Sequence, residues 1–328
     1  MSAGTQKMGR AMIHAAMMIL LALGITFPAS LGIWQANRAH ERAYFAERIA
    51  YERHLPPPAD AVALIDTLGY RPVQARRGEP VPRRFLAALP DDLDRIHDVA
   101  ARKRLFFASI LPLVLRVNEL IAEDRERLLA LEAKVRGGQR LDDWEQRWLV
   151  SLAKRFGLRR VQAPEDIDFE RLKRRVDIVP PSIALAQAAI ESGWGQSRFA
   201  REGNALYGQW TWNAAHDGIV PERREAGKRH RIRAFDFLID SVGAYMNNLN
   251  RAPAYRAFRQ LRAALRAEGK PLRGSPLVPA LRAYSERGEA YVAELQAIIA
   301  ANDLEDFDDA RLAPPTAPLP VEVLAGAS

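Results

Sequence analysis

Apolar residues along this chain are arranged in two ways, and the first arrangement is a continuous block. Residues 11–37 contain no Asp, Glu, Lys or Arg, and the apolar stretch 11–34 follows Lys7 and Arg10. A helix needs roughly 20 such residues to cross a bilayer, whereas a cleaved signal peptide has an apolar region of about 7–15. The pattern predicts a transmembrane signal anchor over 11–34, with residues 1–10 cytoplasmic. Arg38, Arg42, Arg48 and Arg53 on the far side oppose that orientation, so function has to decide which side holds the rest.

Beyond residue 37 apolar positions recur at helical spacing. Residues 35–91 start charged, then carry His54-Leu-Pro-Pro-Pro58 and further prolines at 72, 80, 82 and 90, which predicts a loosely ordered linker. Over 92–175 the chain reads as helical. Phe106, Phe107, Ile110, Val114 and Leu115 form one buried stripe, interrupted at Pro112. An amphipathic helix follows over 123–136, closed by Gly137-Gly138, and another over 142–156 with Trp144, Trp148, Leu149 and Leu152 on its apolar side. After a boundary at Val179-Pro180-Pro181, helices are expected at 182–192, 239–249, 254–268 and 289–302. The irregular segment 193–233 lies between the first two, and its end alternates weakly over 229–235, as a short strand would, with Ala226-Gly227 as the turn. The tail 305–328 is acidic, then Pro/Ala-rich, and is expected to be disordered. The coarse result is a mainly α protein with a small β hairpin lobe.

Composition narrows this picture a little. At 48% apolar residues over 328 positions the chain has a real core, and its formal charge of +8 suits anionic surroundings. It has no cysteine, and its six histidines are scattered without metal-ligand spacing, so neither a zinc site nor a thiol nucleophile is expected. No nucleic-acid-binding motif accompanies the charge. Arg251, Arg256, Arg259, Arg262, Arg266 and Lys270 read as the solvated face of a helix, with a surface that meets carboxylates of an anionic polymer as the alternative.

Candidate chemistry gathers at one helix end. Pro180-Pro181-Ser182 opens a helix, with proline in the first turn and serine as a cap. Ile183, Ala186, Ala189 and Ile190 form its buried stripe, while Gln187 and Glu191 share another face. Gly193 and Gly195, bracketing Trp194, stop the helix near Ser192. Glu191 then sits at the negative end of the helix dipole, partly desolvated and with no cation nearby in sequence. Both effects raise a carboxyl pKa, as a general acid requires. A carboxyl beside an aromatic ring is also the make-up of a sugar subsite. The ordinary role of such a glutamate is a solvated helix end, and the glycine pair is what argues against it.

The run Ala188-Ala-Ile-Glu-Ser-Gly-Trp-Gly-Gln-Ser197, followed by Gly203-Asn-Ala-Leu-Tyr-Gly208, resembles the signature of the family 73 glucosaminidases, bacterial wall hydrolases of lysozyme-like α+β fold. Stretches 102–112, 245–255 and 284–291 resemble the Bax-like bacterial branch of that family, and the likeness covers roughly 95–304. It implies a glucosaminidase domain over 176–304, with 92–175 packed on it. It places the family's general acid at Glu191 and its late active-site tyrosine at Tyr284. Asn204, Tyr207 and Gly208 match the family's turn, which Ala205 lengthens by one residue. The second carboxylate of some members falls on Glu222, with Glu225 close by; without one, the 2-acetamido group of the substrate would be the nucleophile. Gln187, Trp194, Asn204, Tyr207, Gln209, Trp210 and Tyr291 are expected to meet the glycan, with Trp212 either beside them or packed under the lobe. The implied activity is endo-β-N-acetylglucosaminidase cleavage of peptidoglycan between N-acetylglucosamine and N-acetylmuramic acid, without cofactor. The implied place is the periplasmic face of the inner membrane. A lytic transglycosylase and a non-catalytic wall-binding scaffold are the competing readings. The first lacks its Gly-Leu-Met-Gln turn here, where Ala-Leu-Tyr-Gly-Gln stands instead.

Overall fold

The computed structural model describes residues 54–211, 218–220 and 231–315. The expected anchor 11–34, Trp212, Glu222, Glu225, the turn Ala226-Gly227 and the end of the tail lie outside the described residues.

The protein is mainly helical and is built around one long helix. Its elements in chain order are β1 (His54–Leu55), α1 (Leu64–Leu68), α2 (Pro72–Arg76), β2 (Phe85–Leu86), α3 (Val99–Arg136), α4 (Asp143–Arg155), α5 (Phe169–Arg175), α6 (Pro181–Ser192), α7 (Arg198–Gly203), β3 (Trp210–Thr211), β4 (Gly218–Ile219), β5 (Arg231–Arg233), α8 (Leu238–Arg251), α9 (Arg256–Ala267), α10 (Gly274–Leu277) and α11 (Glu289–Ala301). A 3₁₀ segment, Val278–Tyr284, bends the chain between α10 and α11.

α3 is apolar on every side from Leu105 to Leu115, and its neighbours bury it all round. It is long and apolar enough to cross a membrane, yet 83% of its apolar window is buried inside the protein. The sequence suggested a break at Pro112, but the helix runs straight through it. Proline has no N–H to give the carbonyl four residues back, which belongs to Ala108. The Tyr70 hydroxyl donates to that carbonyl instead, at 2.8 Å. Tyr70 comes from the stretch expected to be a loose linker. From His54 onward that stretch is folded: Leu64, Leu68, Phe85 and Leu86 are buried beside α3, and β1 and β2 pair in parallel. Proline density misled here because prolines also stand between and at the start of short elements, as Pro72 does for α2.

The tail corrects a second expectation. Leu304–Phe307 forms a 3₁₀ turn whose Phe307 is buried, and Leu312 pairs with Val81. Arg76 fastens this turn by donating to the carbonyls of Asn302 and Asp303, both at 2.6 Å. Asp308 then caps α6, accepting from the backbone N–H and the hydroxyl of Ser182, each at 2.8 Å, and from Gly274 N–H at 3.0 Å. Burial nevertheless pushes the Asp308 carboxyl up to about 6. Ser182, expected to be the cap, is the residue being capped.

α6 is further fixed by Asn118 of α3, which donates to the Val179 carbonyl at 2.7 Å and accepts its N–H at 3.0 Å. α9 is only in part the solvated basic face expected: Arg256, Arg266 and Lys270 are exposed. Arg259 and Arg262 are buried, and Arg262 donates to the carbonyls of Asp177, Ile178 and Arg174 and to Asn250 Oδ1. Arg266 grips Asp177 with two bonds of 2.6 Å. Burial pushes the Asp177 carboxyl up, but Arg262, Arg266 and Arg125 outweigh it and hold the group below its ordinary range. The β lobe is a three-stranded antiparallel sheet in the order β3-β5-β4. It goes beyond a hairpin because Gly218–Ile219 adds a strand beside β5.

Candidate active site

α6 stops where the glycines require it. Gly193, Trp194 and Gly195 take positive φ in succession, at 57°, 60° and 79°. A β-carbon on Gly195 would lie 2.7 Å from Leu89 Cδ1, so a larger residue would have to displace that side chain and would be strained at this positive φ. The Ser192 hydroxyl locks the turn, donating to Ala188 O at 2.6 Å and accepting Gly195 N–H at 2.8 Å. Trp194 packs into α3, its ring 6.0 Å and 5.4 Å from those of Phe106 and Phe107, with Lys103 Nζ 4.4 Å from its centre. Its strained backbone conformation is thus held by aromatic packing.

Glu191, on the last turn of α6, is half-buried, and burial raises its pKa above the ordinary glutamate value. A hydrogen bond from Tyr291 and the charge of Arg287 oppose that rise, while Glu294 adds to it. Arg287 is itself paired with Glu294. The expected direction is found. The opposing cation, Arg287, comes from far along the chain and is one that the local sequence could not reveal.

Around Glu191 the structure gathers tyrosines. The Tyr291 hydroxyl donates to Glu191 Oε1 at 3.0 Å and accepts Gln187 Nε2–H at 2.8 Å, and the Tyr245 hydroxyl donates to Gln187 Oε1 at 2.7 Å. Tyr284 stacks on Tyr291 with centroids 5.7 Å apart, and Tyr207 stacks on Tyr245 at 3.8 Å. The Tyr284 hydroxyl reaches back to the Tyr207 carbonyl at 3.2 Å, and Tyr255 leans on Tyr284 at 5.9 Å. Tyr284 and Tyr291 do not share one helix face, because Gly288, at φ 54°, separates the 3₁₀ segment from α11.

Several expected glycan contacts have structural positions instead. Gln187 is fully buried between two tyrosines, and Tyr291 is 1% exposed, so neither presents its polar atoms to solvent. Asn204 caps α7 in the left-handed region and donates to the carbonyls of Phe235 and Asp236, both at 3.1 Å, tying the Glu191 side of the site to the β lobe. Ala205, the extra residue of the turn, is buried. Tyr207 is buried with its hydroxyl unpartnered among the described residues. Gln209 is half-buried at the start of the lobe, and its carbonyl accepts Arg233 N–H at 2.8 Å. Gly208, at φ 59°, lies beside the acid, where a β-carbon would stand 3.5 Å from Glu191 Oε2. Sequence reasoning missed Tyr245 and Tyr255 as parts of the site, although both lie in one of the stretches resembling the family. Among the described residues no three His, Asp or Glu side chains gather as a metal site.

Residues 167–304, which contain this constellation, match the model of the glucosaminidase family described as mannosyl-glycoprotein endo-beta-N-acetylglucosaminidase. Protein bax of Escherichia coli strain K12 is 31% identical over 208 residues, which are 62% of this chain and 71% of that protein. The chain belongs to the glucosaminidase family of glycoside hydrolases. Two shorter likenesses lie within the family. The exo-glucosaminidase LytG of Bacillus subtilis strain 168 is 42% identical over 57 residues, 17% of this chain and 20% of LytG. The peptidoglycan hydrolase FlgJ of Escherichia coli strain K12 is 31% identical over 90 residues, 24% of this chain and 29% of FlgJ. No solved structure matches this glucosaminidase.

Proposed function

We propose that this chain is a peptidoglycan hydrolase, an endo-acting β-N-acetylglucosaminidase that cuts between N-acetylglucosamine and N-acetylmuramic acid. The observation that carries the reading is Glu191. Its carboxyl ends a buried helix, is pushed by burial toward its protonated form, and takes a single tyrosine hydrogen bond on Oε1. That is the state a general acid needs in order to protonate the leaving oxygen. The names of FlgJ and LytG, a peptidoglycan hydrolase and an exo-glucosaminidase, support this substrate and bond class.

Attack on the sugar needs a second partner. Glu222 is the carboxylate we propose for it, and the substrate's acetamido oxygen is the alternative. Tyr284, stacked on Tyr291 and half-buried, is the tyrosine we propose to face the glycan, with Trp194, Gln209 and Trp210 toward the strand on either side. Since the polymer lies outside the cytoplasmic membrane, residues 11–34 would anchor the enzyme in the inner membrane with its catalytic part in the periplasm.

Mass spectrometry of purified sacculi digested with the full chain and with Glu191→Gln tests this. Internal fragments with reducing N-acetylglucosamine ends, lost by a factor of about 10² or more in the variant, are expected. Anhydromuramic ends would mean a transglycosylase, release of terminal sugars alone would mean exo attack, and equal release by the variant would remove Glu191 from the mechanism.

A further inference from the structure

The hydrogen bonds behind Glu191 run in one direction. Gln187 is 0% exposed, and both polar atoms of its amide are used. Its oxygen accepts from Tyr245 at 2.7 Å, so its nitrogen is left to face Tyr291, to which it donates at 2.8 Å. A tyrosine hydroxyl has one proton. With its oxygen occupied by the Gln187 N–H, Tyr291 directs its own proton onward to Glu191 Oε1 at 3.0 Å. Burial holds the phenols of Tyr245 and Tyr291 far above their ordinary pKa, so both remain donors.

We propose that Gln187 is a positioning residue that, through Tyr291, fixes which oxygen of Glu191 carries the catalytic proton. Oε1 is always the acceptor, and Oε2, beside Gly208, bears the proton given to the leaving group. This rests on Glu191 being the acid, as proposed above. Glu191 Oε1 already faces a donor, so a second proton there would meet the Tyr291 proton head-on. Oε2 lies beside Gly208, where an added β-carbon would stand 3.5 Å from it. The amide at 187 combines an acceptor for one tyrosine with a donor for the other; an apolar residue supplies neither, and an ionised carboxylate would take the proton of Tyr291 away from Glu191. After proton transfer the same bond steadies the carboxylate, so the chain also opposes the rise that burial imposes on Glu191.

The test titrates Glu191 directly. In the full chain, carboxyl carbons of ¹³C-labelled glutamate are followed by NMR across pH, with Glu191→Gln identifying the signal. The pH profile of initial fragment release from sacculi is recorded beside it. Tyr291→Phe should raise the Glu191 midpoint by about one pH unit, and the alkaline limb of the rate profile should move up with it. Gln187→Met should move both in the same direction by less, and Gln187→Met/Tyr291→Phe should add nothing to Tyr291→Phe. Tyr245→Phe, which removes one oxygen at the far end, should give the smallest shift of the same sign and covers the case in which Gln187→Met fails to fold. An unmoved or lowered midpoint in Tyr291→Phe, the result if the amide lay the other way round, overturns the proposal, as does additivity in the double variant. An inert wild type, or an active Glu191→Gln, sinks the acid assignment instead, and the NMR midpoints would still be readable.

Discussion

Gly208 makes room beside the acid by having no side chain, and this can be measured. Ala at that position strains a backbone at φ 59° by about 1–2 kcal/mol and sets a methyl beside Oε2. Fragment release by Gly208→Ala should therefore fall by about tenfold or more beyond what denaturant titration of its stability explains. A rate loss no larger than the loss of folded protein would show that this side of the carboxyl is not used. Glu191→Gln should do the opposite to stability. The folded state raises the Glu191 pKa, so it penalises the charged carboxylate once pH exceeds the unfolded value. That variant should thus be more stable than wild type near neutral pH, with the difference closing as pH falls below the unfolded value; a variant equally stable at both ends would contradict the burial argument. At this scale the family signature around Glu191, and the upward push on its carboxyl, were legible, because motif spacing and a helix-ending glycine are local signals. Tyr245 was not, since its place in the site depends on a contact to a residue 58 positions away, and periodicity marks it only as buried. Trp194 shows the converse. Its presence near Glu191 is a local fact, but Phe106 and Phe107, which hold its ring, are brought to it by the fold.

Among the elements, α3 departs furthest from its reading. Its sequence contains a breaker, and its continuity depends on a hydroxyl from another segment. Tyr70→Phe leaves the Ala108 carbonyl buried without a partner and should cost about 1–3 kcal/mol. In a Pro112→Ala background the backbone regains its own N–H for that carbonyl, and the same Tyr70→Phe change should cost much less. A double-mutant cycle by chemical denaturation measures this, and equal costs in the two backgrounds would refute the pairing. The helices α4, α6, α8, α9 and α11 fell within a residue or two of their expected places, because each has an apolar stripe and a clear stop. The segment 54–91 was misread because its elements are short and separated by prolines, and the composition of such a stretch resembles that of a linker. α9 was misread because an arginine can be buried when carbonyls and a carboxylate await it, as they await Arg262.

Across the whole molecule, the two ends of the described chain hold each other. Val81 exchanges backbone hydrogen bonds with Arg311 and Ala313, and Arg76 lies over the Phe307 ring at 4.5 Å. A fragment of residues 92–304 lacks Tyr70, Arg76, Val81 and Asp308, whereas 54–315 keeps them. The shorter fragment should melt at a clearly lower temperature, and hydrogen exchange should show α6 opening more readily within it; equal melting would mean that the flanks are ornamental. The family was thus legible from a short motif, while the flanks that support its domain were not, since their sequence carries no motif. Asp308 makes the point sharpest. It stands four residues past the end of the family match, yet it caps the helix whose other end bears Glu191. The unit of kinship is here smaller than the unit of folding. A chimera that grafted only the matched stretch onto a foreign scaffold would inherit the acid without the carboxylate that steadies its helix.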